Sequence, residues 1–355
     1  MLRAGNNGTC RFPLPHGVLV LVVLCFIHLD FLGASGAEIR LDVVAHVPIG
    51  RTGSTVALSP DERELYVAQD DNNSVAVLNT GSRKLIRTIH VAHVPGSLAI
   101  SPDGKRVYVG QWAGQSEGQL SVIDTGSGTA TLVHVGGPVL GSALTSDGTT
   151  LYMAMCRAGL RKMDTRTGVV KILYRQFCPW CVALSPDENS LWVNFQGGGP
   201  NGRWGHDSIA KFDTATGKLI GTITGLPNVG AAIIVSRDGK TVWADGFDAC
   251  WSPAYDHLGC PAVPASVVNV IDAATMKLIR TLPKAPSGTI AFSADQRWAA
   301  LTGTHVSLID TRDFHLVATI PGQFFDMAFS SRRDYVYATS REAPEVVIMK
   351  IRRFR

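Results

Sequence analysis

Residues 101–111 read SPDGKRVYVGQ, and the phrase Ser101-Pro102-Asp103-Gly104 followed by Val107-Tyr108-Val109 occurs, with variations, seven times along the chain. Its Asp falls at Asp61, Asp103, Asp147, Asp187, Asp238 and Asp295, and Arg332 occupies the seventh slot. Pro second and Gly fourth suit a type I turn between two strands. Leu98-Ala99-Ile100 precedes the turn, small and apolar as an innermost strand near a crowded axis must be. The β-rich triplet after it returns as Leu65-Tyr66-Val67, Leu151-Tyr152-Met153, Leu191-Trp192-Val193 and Val242-Trp243-Ala244. A third strand ends in Asp-Thr or a variant, as at Asp124-Thr125, Asp164-Thr165 and Asp310-Thr311. A fourth, such as Lys84 to Ile89, leads to the next copy.

Four strands per copy, seven copies and no helical periodicity define an all-β fold, a seven-bladed β-propeller with four antiparallel strands per blade. The last copy stops after its third strand, Glu345 to Lys350, while Val43-Val44-Ala45-His46-Val47 near the other end reads like a fourth strand. The N-terminal strand is therefore expected to complete the last blade, which leaves no open edge in the ring.

The motifs SPDGKRVYVGQ, SVIDTGSG and AKFDTATGKLIGTI resemble the YVTN-type propeller repeats of secreted bacterial and archaeal proteins. The resemblance covers nearly the whole chain after residue 37. It implies a fold and an exported compartment. Members range from surface and binding proteins to relatives of quinoprotein dehydrogenase subunits, so it does not by itself assign an activity.

Residues 1–37 read as a signal peptide. Arg3 and Arg11 precede the apolar run Val18 to Ile27, and Ala34-Ser35-Gly36-Ala37 supplies small residues for cleavage. The run is short for a bilayer span, and His28 and Asp30 close it. Residues 38–355 then form a single propeller domain, periplasmic or secreted, with no membrane span after cleavage and expected to be monomeric. The formal charge of the whole chain is +4. That near-balance gives no support to nucleic-acid binding, which needs a clustered basic face.

The seven-copy Asp residues look like a ring of carboxylates, but each sits in a tight turn where Asp caps local amides, and turn chemistry accounts for the residue type. Function on a propeller is expected in the loops of one end, where second strands lead to third strands and outer strands lead to the next blade. Asp187 to Asp238 spans 51 residues and Asp238 to Asp295 spans 57, against 37 to 44 for the other steps. The excess lies in Gln196 to Asp207 of blade 4 and Gly246 to Ala265 of blade 5, on the same face of adjacent blades. The blade-4 insertion is glycine-rich, but no Gly-Lys-Ser/Thr follows, so it is not a phosphate loop.

A ligand- or partner-binding face is thus expected around Trp112, Arg157, Arg175, Trp204, His206, Asp245, Asp248, Trp251, Tyr255, His257, Asp326 and Arg341. No nucleophile–base pair is recognisable among them, and His134 on the same face reads as a surface residue. Cys250 and Cys260 close a short, Pro-stiffened loop and are expected to form a disulfide. Cys156, Cys178 and Cys181 should meet where blades 3 and 4 adjoin. An oxidising compartment favours one disulfide and one remaining thiol among them. The alternative is a copper or zinc site completed by His206; otherwise no cofactor is expected. The leading expectation is an extracytoplasmic binding or scaffold protein that takes an unknown protein or small molecule on the long-loop face of blades 4 and 5. The alternative is an enzyme at the channel mouth, lactonase- or lyase-like or related to quinoprotein dehydrogenases.

Overall fold

The computed structural model describes residues 38–112, 119–155, 158–175, 178–195, 208–226, 232–246, 267–283 and 288–354. Among these, 28 strands form seven sheets of four, and no helix is long and apolar enough to cross a membrane. Blade 1 shows the plan. An inner strand Gly53–Leu58 pairs with Glu64–Gln69, then Ser74–Asn79, then the outer Lys84–His90, all antiparallel. Blades 2 to 6 repeat this order. Blade 7 is built from Phe324–Phe329, Tyr335–Ser340 and Glu345–Phe354, and its outer strand is Glu38–Pro48 from the other end of the chain. The expected closure holds, in the register Val47↔Val346, Val43↔Met349 and Glu38↔Phe354.

The second and third strands are buried on both faces, which is why they read as nearly continuous apolar runs rather than alternating ones. The apolar residues fall into seven clusters, one per seam between neighbouring blades. The repeated aromatics fill them: Tyr66, Tyr108, Tyr152, Trp192, Trp243 and Tyr337 are each within 5% of full burial. Burial of such a side chain contributes roughly 2–3 kcal/mol. Blade 6 departs from the pattern. Ala300 takes the aromatic place, and the seam between blades 6 and 7 is filled by Trp298, two residues nearer the turn, with Leu41 and Ile351 of the closing strands packed beside it.

The phrase is a self-capped turn. In blade 2 the Ser101 hydroxyl donates to Asp103 at 2.6 Å, Asp103 also accepts the Lys105 amide at 3.0 Å, and the Ser101 oxygen accepts the Arg106 amide at 2.9 Å. Thr125, from the Asp-Thr pair, donates to the carbonyl of Gly104 at 2.8 Å and so ties the third strand to the turn. The Ser–Asp or Thr–Asp contact recurs at Asp61, Asp147, Asp187, Asp238 and Asp295. The Ser101 hydroxyl, followed by the Lys105 amide, holds the Asp103 carboxyl below its ordinary range. These carboxylates are structural.

The fourth residue of the turn has positive φ: Gly104, Gly148 and Gly239 adopt it readily, whereas Glu62, Glu188 and Gln296 hold it with φ of 58°, 58° and 59°. The choice follows the second residue of the preceding blade's phrase. Where that residue is Pro, the next blade supplies Gly: Pro60 faces Gly104, Pro102 faces Gly148, and Pro186 faces Gly239. Where it has an amide hydrogen, the next blade supplies an acceptor. Glu188 accepts the Ser146 amide at 2.5 Å, Gln296 accepts that of Arg237 at 2.7 Å, and Glu62 accepts that of Ser331 at 2.6 Å. Six seams are thus matched, Pro to Gly or donor to acceptor.

Candidate functional site

The end of the ring opposite the phrase turns carries the inserted loops, and its described part is a rim of polar side chains on backbone amides. Asp326, on the inner strand of blade 7, accepts the Val56 amide of blade 1 at 2.9 Å and the Met327 amide at 2.7 Å. Burial pushes its carboxyl above the usual range despite those donors. Asp245, at the end of the second strand Thr241–Gly246 of blade 5, has no exposed surface and accepts the Gly288 amide of blade 6 at 2.6 Å.

Three residues that sequence reasoning passed over share this role. Asn194 accepts the Cys181 amide at 2.6 Å. Thr302 donates to the Phe325 carbonyl at 3.1 Å, and Thr339 donates to the Ser54 carbonyl at 2.7 Å. Asn194, Asp245, Thr302 and Thr339 each lie two residues after the aromatic place of the repeat, where blades 1 to 3 have Ala68, Gly110 and Ala154. That asymmetry between the blades is the signal that could have found them. A buried polar side chain in a strand that otherwise reads apolar must have a partner, and here the partner is the backbone of an inner strand.

The remaining residues of the expected face are dispersed. Trp112 ends the second strand of blade 2 and is 45% exposed. The Arg341 guanidinium lies over the Phe325 ring at 4.4 Å, and burial holds its pKa below the usual value. Arg175 is exposed and stands near Arg161. Burial first, and then the Arg175 charge, depress the pKa of Arg161, which donates to the Val135 carbonyl at 2.5 Å. His134 is exposed at the end of an outer strand. Arg157, Trp204, His206, Asp248, Trp251, Tyr255 and His257 lie outside the described residues, as do Cys156, Cys250 and Cys260.

Of the cysteines, Cys178 is disulfide-bonded, and Cys181 is not its partner. The Cys181 thiol is pushed up to about 12 by burial, with the charge of Asp326 adding to the effect. A metal needs the thiolate. An oxidised Cys178 does not suit the copper or zinc set that the sequence allowed.

Among the described residues, one other group of metal-type ligands, Asp310, Asp313 and His315, lies on the opposite end. Its buried carboxylate is taken by Arg312, with Nε–Oδ1 at 3.0 Å and Nη2–Oδ2 at 2.7 Å, so the pair is already bidentate. Two surface cavities, of about 270 and 320 Å³, also lie on the phrase-turn end, one between blades 6 and 7 and one between blades 2 and 3.

No protein-family model matches the chain, and no characterised protein matches its sequence. Solved structures do match. Hydrazine synthase of Kuenenia stuttgartiensis superposes with a TM-score of 0.72 at 20% identity, over 86% of this chain and 97% of that one. The β-propeller domain of Cps50 (Swd1) from Myceliophteria thermophila superposes with a TM-score of 0.69 at 12% identity, over 87% of this chain and 99% of that one. The likeness is one of fold. At such identities the seven-bladed ring is shared, and nothing about activity passes with it.

Proposed function

We propose that this chain is an exported binding or scaffolding propeller of the YVTN-repeat type, which takes a protein or small-molecule ligand on the face carrying the blade-4 and blade-5 insertions. The observation that carries the reading is the pair of long connections. Phe195 to Ser208 and Gly246 to Val267 leave adjacent blades at the same end, where the corresponding connection in blade 1 is only Gln69 to Ser74. Beneath them the rim is fixed: Asn194 and Asp245, at the bases of the two insertions, are tied to the backbone of Cys181 and Gly288. A fixed rim under long, aromatic-bearing loops suits recognition.

The test places a photoreactive residue at Trp251, and separately at Lys105 on the opposite end, in the exported protein in its own cells. Adducts concentrated at Trp251 are expected. Equal labelling at both positions, or labelling at Lys105 alone, would remove the reading. Mass spectrometry of the exported protein should also give a chain beginning at Glu38.

A further inference from the structure

The seam between blades 6 and 7 breaks the matching that the other six obey. The second residue of the blade-6 phrase is Ala294, whose amide hydrogen calls for an acceptor from blade 7. Blade 7 offers Arg333 at that place, and a guanidinium can only donate. The usual aromatic place holds Ala300, and the aromatic of this seam, Trp298, sits two residues nearer the turn. What remains is the cavity of about 270 Å³, walled by Ala294, Asp295, Phe329, Arg333, Asp334 and Arg353.

Two other seams show what such a place accepts. At the seam between blades 7 and 1, the Glu62 carboxylate is 8% exposed and takes the Ser331 amide and the Ser331 hydroxyl, each at 2.6 Å, together with the Ser330 hydroxyl. At the seam between blades 3 and 4, Glu188 takes the Ser146 amide. At two of the three seams where a phrase amide faces the next blade's turn, the fold thus binds a carboxylate from its own chain, and at the third it uses the neutral side-chain oxygen of Gln296. At the odd seam no such carboxylate is supplied, and cationic side chains stand around the opening instead. Arg353 lies 3.3 Å from Asp334 and 3.6 Å from Asp295. Asp295 is already engaged by the Ser293 hydroxyl at 2.6 Å and the Arg297 amide at 3.1 Å. Among the described residues, Arg333 takes no part in these ion pairs. Arg332 also lines the cavity, but its guanidinium donates to the carbonyls of Pro60 and Asp61.

We propose that this cavity binds a small organic carboxylate, in the place that Glu62 and Glu188 hold at their own seams, with the Ala294 amide and the Arg333 and Arg353 guanidiniums as its donors. Its volume lies just below the range of ordinary ligand pockets and suits a molecule the size of a dicarboxylate rather than a larger one. Charge-assisted bonds from an amide and from guanidiniums are the strong class of hydrogen bond and select a planar carboxylate over chloride. The site is on the end opposite the inserted loops, so it stands or falls separately from the function proposed above.

Glutarate is the probe, titrated by calorimetry into the protein beginning at Glu38 at constant ionic strength, with inorganic phosphate and chloride as comparison anions. The expected result is saturable millimolar binding of one glutarate, weaker binding of phosphate and none of chloride. Ala294→Pro removes the amide hydrogen with a residue the repeat already uses at Pro60, Pro102 and Pro186, and should weaken glutarate by about tenfold or more. Arg333→Glu places the chain's own carboxylate at the opening and should abolish glutarate binding. Glu188→Gly should gain a second glutarate site by exposing the Ser146 amide. No saturable heat up to tens of millimolar, equal affinity for all three anions, or binding unchanged in both Ala294→Pro and Arg333→Glu overturns the proposal.

Discussion

Removing the Glu62 side chain should separate the contribution of a seam from the backbone strain that accompanies it. Glu62 holds φ of 58°, a conformation costing a non-glycine residue about 1 kcal/mol or a little more. Against that cost stand three hydrogen bonds to its carboxylate, from the Ser330 hydroxyl and from the Ser331 amide and hydroxyl. Bonds to a charged acceptor contribute about 1.5–3 kcal/mol each. These three share one carboxylate, and Ser331 is exposed enough to regain water when the partner is lost, so the joint loss is about 2–4 kcal/mol. Glu62→Ala keeps the strain and should cost that amount, about 3–6 °C in melting temperature for a chain of this length. Glu62→Gly loses the same bonds but releases the strain, and should be about 1 kcal/mol more stable than the alanine variant. Acid provides an independent check. Burial alone would raise the Glu62 carboxyl, but the Ser330 and Ser331 donors hold it below its ordinary 4.5. Its contribution is therefore fully present above pH 4.5 and fades as the pH falls through the lower folded value, so wild type and Glu62→Ala should converge there. Urea denaturation followed by tryptophan fluorescence measures all three proteins. An alanine variant within about 0.5 kcal/mol of wild type, or a glycine variant less stable than the alanine one, would refute the reasoning.

Gly148→Ala should destabilise more than Gly104→Ala, by about 1–2 kcal/mol in melts, because its Cβ would stand 2.8 Å from Pro102 whereas that of Gly104 would lie 3.7 Å from Pro60. Asp326→Asn keeps one of the two oxygens that accept the Val56 and Met327 amides while removing a charge that burial disfavours. Wild type should lose stability as the pH rises from the ordinary carboxyl value through the raised folded one, while the asparagine variant stays flat; parallel pH–stability curves would contradict this. Thiol counting on the unreduced chain from Glu38 should find one thiol after unfolding and none reactive in the native state at pH 8, because Cys181 ionises only near 12. Leu41→Ala should cost about 2–4 kcal/mol, since Leu41 packs against Trp298 and Leu308 of blade 6 as well as the closing blade; a loss below about 1 kcal/mol would show that the closing strand does not seal that seam.

The ring was legible in the sequence because its signals are local and repeated: the phrase turn, the aromatic triplet and the Asp-Thr ending each lie within one copy. Closure was legible for the same reason, as a missing strand with a matching segment elsewhere. The polar rim was only half legible. Asp245 and Asp326 stood out as charges, but Asn194, Thr302 and Thr339 read as ordinary strand residues until their partners on neighbouring inner strands were placed. The seam matching was written in the chain too, in Pro60 with Gly104 and Ser146 with Glu188. It is invisible when copies are read one at a time, because each partner lies a whole blade away. The two insertions, which carry half of the expected binding residues, fall outside the described residues.

The matching of phrase residues across seams has a consequence for how such a ring can change its number of blades. Losing blade 2 would set Pro60 against Gly148, an allowed neighbour. Losing blade 3 would set Pro102 against Glu188, a carboxylate facing a proline that has nothing to donate. Losing blade 5 would set Pro186 against Gln296 with the same fault. The seven copies are therefore not interchangeable parts. All but blade 7 are addressed to the one before them, and a recombination that respects strand count and closure can still fail where two ordinary turns no longer agree.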